Sequence, residues 1–237
     1  SSARPYKSNC SIQKTPNGLQ KYNKILIYAN FFVILHIILN IMHIIHSICV
    51  FCASSTKIRS SYSDAAYRLG QILADNHIRL VYGDGGIGLM GAIAEGALSR
   101  GGEVVGVIPQ FMVDEGWNNP KSTETHIVQT MHERKAYIES ISDAMVALPG
   151  GVGTLEELAE CLTWKQLGIH TKPVVILNTD GYYNPLLHFL DQMVAEHMIR
   201  EIHRRQMFTV VNTPEQVLPA LTNAPDWSTT IRRDAAI

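Results

Sequence analysis

The stretch AMVALPGGVGTLEELAECLTWKQL, residues 144–167, passes from a short apolar run through a glycine-rich turn into a longer amphipathic segment. The apolar run predicts a buried strand at residues 144–148, and the later spacing of apolar residues predicts a helix at 154–167. Strand, tight turn and helix in this order form the repeating unit of parallel α/β sheets. The stretch therefore predicts an α/β protein.

The same alternation continues along the chain from Ser47 onwards. Apolar, β-branched runs predict six further strands, at residues 48–52, 78–82, 103–108, 126–129, 174–177 and 208–211. Amphipathic segments predict five further helices, at residues 61–75, 89–100, 132–142, 184–198 and 214–221. We expect a single Rossmann-like, doubly wound domain with a mostly parallel sheet of about six to seven strands and helices on both faces.

Composition and charge exclude several classes of protein. The 237 residues include 46% hydrophobic side chains, enough for one sizeable core. Lys and Arg number 20 against 21 Asp and Glu, so no overall positive charge attracts nucleic acid. The four cysteines are too few for a disulfide framework, and Cys49 and Cys52, three apart on a predicted strand, are expected on opposite faces. We predict no nucleic-acid partner and no metal site.

Residues 1–46 differ in composition from the rest and form a predicted N-terminal extension. No Asp or Glu precedes Asp64, and residues 25–48 are apolar and long enough to be a candidate membrane span. Polar side chains that are costly in hydrocarbon oppose that interpretation: Asn30, His36, Asn40, His43 and His46. A second hypothesis is that native translation begins at Met42. We expect a main domain at residues 47–223, a loosely packed tail at 224–237, no membrane association and a cytoplasmic location.

Two glycine-rich loops follow predicted strands and precede predicted helices. The first, YGDGGIG at residues 82–88, carries four glycines, and the second, PGGVG at 149–153, carries three. Glycine lets backbone amides approach a ligand closely, and a helix N-terminus adds partial positive charge, so both loops suit a phosphate. The first loop is not a dinucleotide fingerprint, because no acidic residue ends the strand that follows it. A tight turn without a ligand is an equally good interpretation of that loop.

Charged side chains accompany these loops. Glu157 follows Thr154 by three residues, the spacing of a capping box, so it either closes the helix that Thr154 caps or places a carboxylate beside the second loop. Arg134 and Lys135 lie in the first turns of a predicted helix, where the helix dipole disfavours cations; they either have an anionic partner or lie on a solvated face. Glu160 is expected on a solvated stripe. Two glycine loops and a basic pair at one sheet edge indicate a site for a phosphorylated small molecule, and a carboxylate among them indicates chemistry.

Two motifs resemble those of a known family: PGGVGTLEE at residues 149–157 and MHERK at 131–135. The pair is similar to the signature of the LONELY GUY proteins, which are cytokinin riboside 5'-monophosphate phosphoribohydrolases and were long described as lysine decarboxylases. The resemblance covers most of the chain after Met42, through FCASS (51–55), YGDGGIGLMG (82–91), GVIPQFM (106–112), TWKQLGIHTKPVVILN (163–178) and GYYNPLL (181–187). Lysine decarboxylation ordinarily needs pyridoxal phosphate on a lysine Schiff base, and no lysine here has a supporting context.

The resemblance implies hydrolysis of the N-glycosidic bond of an adenosine 5'-monophosphate, often one with an isoprenoid on the exocyclic amine. Free base and ribose 5-phosphate would be released without a metal or cofactor, by a protein that forms homodimers. The family's catalytic arginine and glutamate correspond to Arg134 and Glu157. The candidate substrate-binding residues are Ser54, Gly85, Gly86, Glu115, Lys135, Gly150, Gly151, Gly153, Thr154, Glu156 and Thr163.

Asp84 departs from the family pattern, because it interrupts a glycine triplet that usually follows the tyrosine of the second strand. A carboxylate is unexpected beside a phosphate, so we expect the loop either to tilt this side chain outward or to contact the sugar and not the phosphate. Two other functions stay open: an AMP nucleosidase without isoprenoid preference, and a nucleotide-binding carrier without activity. The joint presence of Arg134 and Glu157 favours an enzyme, because a carrier needs no carboxylate at that place.

Overall fold

The computed structural model describes residues 45–230. The predicted extension lies outside the described residues up to residue 44, together with most of the apolar stretch and with Met42. Residues 231–237 of the predicted tail also lie outside them. Within residues 45–230, none of the helices combines the length and the hydropathy that crossing a bilayer requires.

Seven strands form one sheet, and all neighbouring strands run parallel. They are β1 (Ser47–Phe51), β2 (Arg79–Tyr82), β3 (Val104–Pro109), β4 (Glu124–Val128), β5 (Ala144–Ala147), β6 (Val174–Leu177) and β7 (Thr209–Val211). Their order across the sheet is β4-β3-β2-β1-β5-β6-β7. The predicted α/β fold with a parallel sheet is confirmed, and all seven strands lie within two residues of their predicted bounds.

Helices connect the strands throughout the described residues. They are α1 (Ser60–Asp75), α2 (Gly88–Leu98), α3 (Gln110–Asp114), α4 (Met131–Ser140), α5 (Val152–Gln166), α6 (Asn184–Ala195), α7 (Glu201–Gln206) and α8 (Val217–Thr222). Apolar spacing does not predict α3 and α7, which contain only five and six residues. The predicted helix at 184–198 is too long, because His197 has φ 57° and α6 has ended by then. The predicted helix at 214–221 is instead a 3₁₀ turn, Pro214–Gln216, followed by α8.

A hydrophobic core lies on each face of the sheet. Alternate residues of β1 enter different cores, so Val50 packs with α1, α2 and α8, whereas Phe51 packs with α4 and α5. Cys49 and Cys52 are free, buried thiols in different cores, which confirms that they face opposite sides of the sheet. Helices therefore cover both faces, as a doubly wound sheet requires.

The tail is better packed than predicted, as far as residue 230. Trp227 is buried, and its indole Nε1 donates a hydrogen bond to the carbonyl oxygen of Lys165 at 2.7 Å. Its ring also packs against His203, with 5.8 Å between the ring centroids. The expectation of a loosely packed segment after Asn223 is therefore wrong for this part, because a large apolar side chain fixes it to α5.

The sheet grows from β1 in both directions, with β2, β3 and β4 on one side and β5, β6 and β7 on the other. The loops that follow β1 and β5 are therefore neighbours at the carboxyl edge of the sheet, where open α/β sheets bind their ligands. Ala53, in the loop after β1, connects the second glycine loop to the start of α2: its amide donates to the Pro149 carbonyl at 3.2 Å, and its carbonyl accepts from the Leu89 amide at 2.9 Å. This edge brings both glycine loops to one place.

Candidate active site

Helix α5 begins earlier than predicted, at Val152, so Thr154 does not cap it. Gly151 occupies the N-cap position, and no side chain caps the helix there. Thr154 is the third helical residue and is buried. The capping-box interpretation of Thr154 and Glu157 is therefore wrong, because it requires Thr154 to precede the first turn. Glu157 lies in the second turn, and the helix N-terminus keeps its backbone amides free of side-chain caps.

The second glycine loop needs its glycines for two different reasons. A Cβ on Gly150 would lie 2.1 Å from the Thr154 hydroxyl oxygen, so this position is closed to any side chain. A Cβ on Gly151 or Gly153 would meet no atom within 4 Å. These two residues therefore border open space, where the absence of side chains leaves their backbone accessible to a ligand.

Arg134 lies on α4 and is only 6% exposed. Its Nε donates to the carbonyl of Val107 and its Nη2 to that of Gly83, both at 3.0 Å. These carbonyls lie near the carboxyl ends of β3 and β2, so one guanidinium connects two strand ends. Gly83 leaves room for this guanidinium, because a Cβ there would lie 1.6 Å from Arg134 Nη2 and would displace it. The positive charge is thus fixed at the sheet edge.

Glu157 is a half-buried carboxyl group in the field of several charges. Burial raises its pKa to about 7, and the nearby positive charge of Arg134 opposes that rise. Glu156 and Glu160 raise the pKa further, whereas Lys135 lowers it. Among residues 45–230, no hydrogen-bond donor engages this carboxylate. Among the neighbouring charges, that of Arg134 acts most strongly on Glu157, so the two residues assigned to catalysis by the resemblance act on each other.

Lys135 connects α4 to α5 through two carboxylates. Its ammonium group, on a side chain that is 10% exposed, contacts Glu156 and lies 2.5 Å from Glu160 Oε2. Of the two alternatives for Lys135, an anionic partner or a solvated face, the first is therefore correct, and its partners are Glu156 and Glu160. The expectation that Glu160 lies on a solvated stripe is wrong, because its side chain is 25% exposed and ion-paired. The contacts fix the spacing between the helices that carry Arg134 and Glu157.

The other predicted substrate-binding residues fall into two groups. Ser54, Gly85 and Gly86 lie in the loops that follow β1 and β2, at the same edge as the second glycine loop. Glu115 is exposed at the C-terminus of α3, and Thr163 is exposed near the C-terminus of α5. Nine residues of helix place Thr163 about 14 Å along the axis from Thr154. Thr163 is thus not gathered with the glycine loop within one chain, and its hydroxyl donates to the Ala159 carbonyl at 2.7 Å.

The Asp84 side chain does not point outward, contrary to the first of the two expectations for its loop. Its carboxylate is fully buried and accepts hydrogen bonds from Ser122 at 2.6 Å and from Thr125 at 3.4 Å. Burial raises the pKa of this carboxyl group, and the hydroxyl donors oppose the rise. Its backbone has φ 59°, and a Cβ on Gly106 would lie 1.9 Å from Asp84 Oδ1. The side chain therefore turns into the protein and leaves the first glycine loop without a negative charge at its surface.

Asp84→Ala is expected to destabilise the fold by about 2–4 kcal/mol, because it removes the acceptor of the Ser122 and Thr125 hydroxyl groups and leaves a small cavity where the buried carboxylate lay. The midpoint of urea denaturation measures this loss. Asp64→Ala, on the exposed side of α1, serves as the matched control and should change stability by less than about 0.5 kcal/mol. Equal midpoints for the two variants would contradict the structural role of Asp84.

Two tyrosines at this edge received no role from the sequence motifs. Tyr182 donates its hydroxyl to the carbonyl of Gly150 at 2.5 Å, and Tyr183 donates to that of Leu148 at 2.6 Å. The signal that could have found them is a tyrosine pair just after a predicted strand, at the edge where the glycine loops lie. Among the described residues, no group of three or more His, Cys, Asp or Glu side chains could hold a metal ion.

Known proteins match this sequence over most of its length. A family model described as "possible lysine decarboxylase" matches residues 90–221, more than half of the chain. A probable cytokinin riboside 5'-monophosphate phosphoribohydrolase of Oryza sativa subsp. japonica is 48% identical over 170 residues, 72% of this chain and 75% of that protein. A cytokinin riboside 5'-monophosphate phosphoribohydrolase of Arabidopsis thaliana is 47% identical over 178 residues, 75% of this chain and 83% of that protein. The chain belongs to the LONELY GUY family.

Solved structures extend the likeness of fold beyond the family. The molybdenum cofactor carrier protein of Chlamydomonas reinhardtii matches with a TM-score of 0.57 over 73% of this chain and 94% of that one. At 22% sequence identity, this match concerns the fold alone. Family membership therefore comes from the curated plant relatives, and the architecture is shared more widely.

Proposed function

We propose that the protein hydrolyses the N-glycosidic bond of adenosine 5'-monophosphates, including N6-substituted ones, to release the free base and ribose 5-phosphate. The observation that carries this proposal is the half-buried carboxyl group of Glu157, on the helix that follows a glycine loop and within the electrostatic influence of Arg134. Glu157 is a carboxyl group with a pKa of about 7 that no donor engages within residues 45–230. Family membership supports the same activity, because the curated relatives are phosphoribohydrolases by name.

The proposed reaction places positive charge on the ribose. As the bond between C1' and the purine nitrogen breaks, its electron pair leaves with the base, and the sugar gains oxocarbenium character. The ionised carboxylate of Glu157 would stabilise that charge and orient the water that adds to C1'. Water supplies the hydroxyl group of ribose 5-phosphate and the proton that the base takes up.

Binding of the phosphate is assigned to the second glycine loop and the start of α5. Gly151 and Gly153 border open space, and no side chain caps the helix there. Backbone amides and the helix dipole both favour an anion at that place. Arg134 adds a fixed positive charge, although two of its donors already engage carbonyls, so it is expected to orient the sugar phosphate through its remaining donors.

Product analysis tests the proposed activity. Purified protein is incubated with AMP and, separately, with isopentenyladenosine 5'-monophosphate, and free base and ribose 5-phosphate are quantified. Equal amounts of base and ribose 5-phosphate from either substrate support the hydrolase. Preference for AMP would indicate a plain AMP nucleosidase, and binding of both nucleotides without any product would indicate a carrier.

A homodimer and a cytoplasmic location complete the proposal. The resemblance implies a dimer, and α5 exposes Val152 (84%) and Leu155 (46%), two apolar side chains beside the glycine loop that a subunit contact would cover. Light scattering after gel filtration measures the mass, and a monomer at micromolar concentration would contradict the assembly. We place the protein in the cytoplasm because its proposed substrates are cytosolic nucleotides.

A further inference from the structure

The turn that follows β6 fixes the second glycine loop from outside its own strand–helix unit. Tyr182 donates to the Gly150 carbonyl at 2.5 Å, and Tyr183 donates to the Leu148 carbonyl at 2.6 Å. The two accepting carbonyls lie on either side of Pro149. The backbone on each side of Pro149 thus accepts a hydrogen bond from a tyrosine hydroxyl group.

Contacts within the turn fix the position of these hydroxyl groups. Asp180 has φ 53° and accepts a hydrogen bond from Ser61 at 2.6 Å, which connects the turn to α1. Asn178 accepts from the Tyr183 amide at 2.7 Å. The rings of Tyr182 and Tyr183 pack edge to face, with centroids 5.1 Å apart. The tyrosine pair is therefore a rigid support, and neither ring is a freely rotating surface group.

The hydrogen bond from Tyr182 has a consequence on the other side of the peptide plane. In a trans peptide the carbonyl and the following N–H point in opposite directions. Holding the Gly150 carbonyl therefore sets the direction of the Gly151 amide. Gly150 and Gly151 lack the side chains that restrict backbone rotation elsewhere, so an external contact is the available means of fixing this plane.

We propose that Tyr182 is a positioning residue, which aims the Gly151 amide and the start of α5 at the phosphate group of the ligand. The identity of that ligand as a ribose 5-phosphate moiety rests on the proposed function. Tyr183 is 5% exposed and supports a buried carbonyl, so its hydroxyl also serves the fold. Tyr182 is 40% exposed, and its hydroxyl can be removed without opening the core.

The test compares Tyr182→Phe with Tyr62→Phe. Tyr62 packs against the Tyr182 ring at 5.6 Å between centroids, and within residues 45–230 its hydroxyl makes no hydrogen bond, so this variant is the matched control. Calorimetry measures the dissociation constant of ribose 5-phosphate, a product that is not turned over. We expect Tyr182→Phe to weaken binding about five- to tenfold and Tyr62→Phe to leave it within about twofold.

Kinetics with AMP separate positioning from general damage to the fold. Tyr182→Phe should raise KM by the same factor while kcat and the melting temperature stay close to wild type, because Glu157 and Arg134 are untouched. Unchanged ribose 5-phosphate binding in Tyr182→Phe would overturn the proposal, as would an equal loss in Tyr62→Phe or no binding by the wild type. Since calorimetry needs no turnover, a failure of the hydrolase assay alone would count against the proposed function and not against Tyr182.

Discussion

Glu157→Gln is expected to slow base release at least about a hundredfold, the size of one well-placed electrostatic contact in a transition state. Glutamine keeps the shape of the side chain but removes the negative charge that would face the oxocarbenium ion. Substrate binding should change little, because the charge develops only as the bond breaks. Single-turnover release of adenine from AMP, followed by chromatography, gives the rate of the chemical step.

The pH dependence of the wild type provides a second readout of Glu157. Its pKa of about 7 means that activity should rise as pH increases through 7, since the ionised form is the active one. The free energy of unfolding should change in the opposite direction and fall as pH increases. The folded state favours the protonated form, so stability falls as pH rises from about 4.5 to 7, by roughly 3 kcal/mol at most. Glu157→Gln should therefore be the more stable protein at pH 8 but not at pH 4.

Glu160→Gln is the matched control on the same helix. It removes a carboxylate of the Lys135 contact, so we expect a far smaller loss of activity and a slightly lower pKa for Glu157. A Glu157→Gln enzyme within a few-fold of the wild-type rate would remove this residue from the catalytic role. A flat activity profile between pH 6 and pH 8 would contradict the assignment of its ionised form.

Arg134→Lys should lower kcat/KM at least about a hundredfold, through both KM and kcat. Lysine keeps the charge but has one ammonium group, which cannot reach the carbonyls of Val107 and Gly83 and the phosphate together. Arg134→Ala should impair binding and turnover further, but it also leaves two strand-end carbonyls without a donor. Steady-state kinetics with AMP, together with circular dichroism, measure the effect.

Arg68→Lys provides the comparison for Arg134. Arg68 is an exposed arginine whose Nε lies 2.9 Å from Glu215, and exchanging it should leave both kinetics and stability close to wild type. Unchanged kinetics in Arg134→Lys would refute its assignment to the phosphate. If Arg134→Lys lowers only the melting temperature, Arg134 is a structural link between two strands.

The sheet could be predicted from the sequence because its signals are local. The buried strands are mostly continuous apolar runs, because both faces of a parallel sheet are covered. The errors occur where the decisive contact is distant or the element is short. Helix α3 has five residues, too few to show a period, and Trp227 is fixed by a carbonyl that lies 62 positions earlier.

In the candidate site, too, the features with a local signal could be predicted, and those that depend on distant contacts could not. The glycine loops, Arg134 and Glu157 could be named from their motifs, because each loop directly follows a strand and the two charged residues lie in the first turns of helices that come after strands. The capping role of Thr154 was wrong, because the glycine loop itself enters the helix and starts it two residues sooner. The direction of Asp84 depends on Ser122, and the partners of Lys135 lie on the next helix. Local sequence carries no signal for either contact.

The buried carboxylate of Asp84 has a consequence for exchanging residues between relatives. Its two carboxylate oxygens accept hydrogen bonds from Ser122 and Thr125. Gly106 has no side chain and so leaves room for the carboxylate. These four positions depend on one another, and placing Asp84 alone in a homologue with glycine there would bury a carboxylate without the groups that accommodate it here. Protein engineers should therefore move the whole set or none of it.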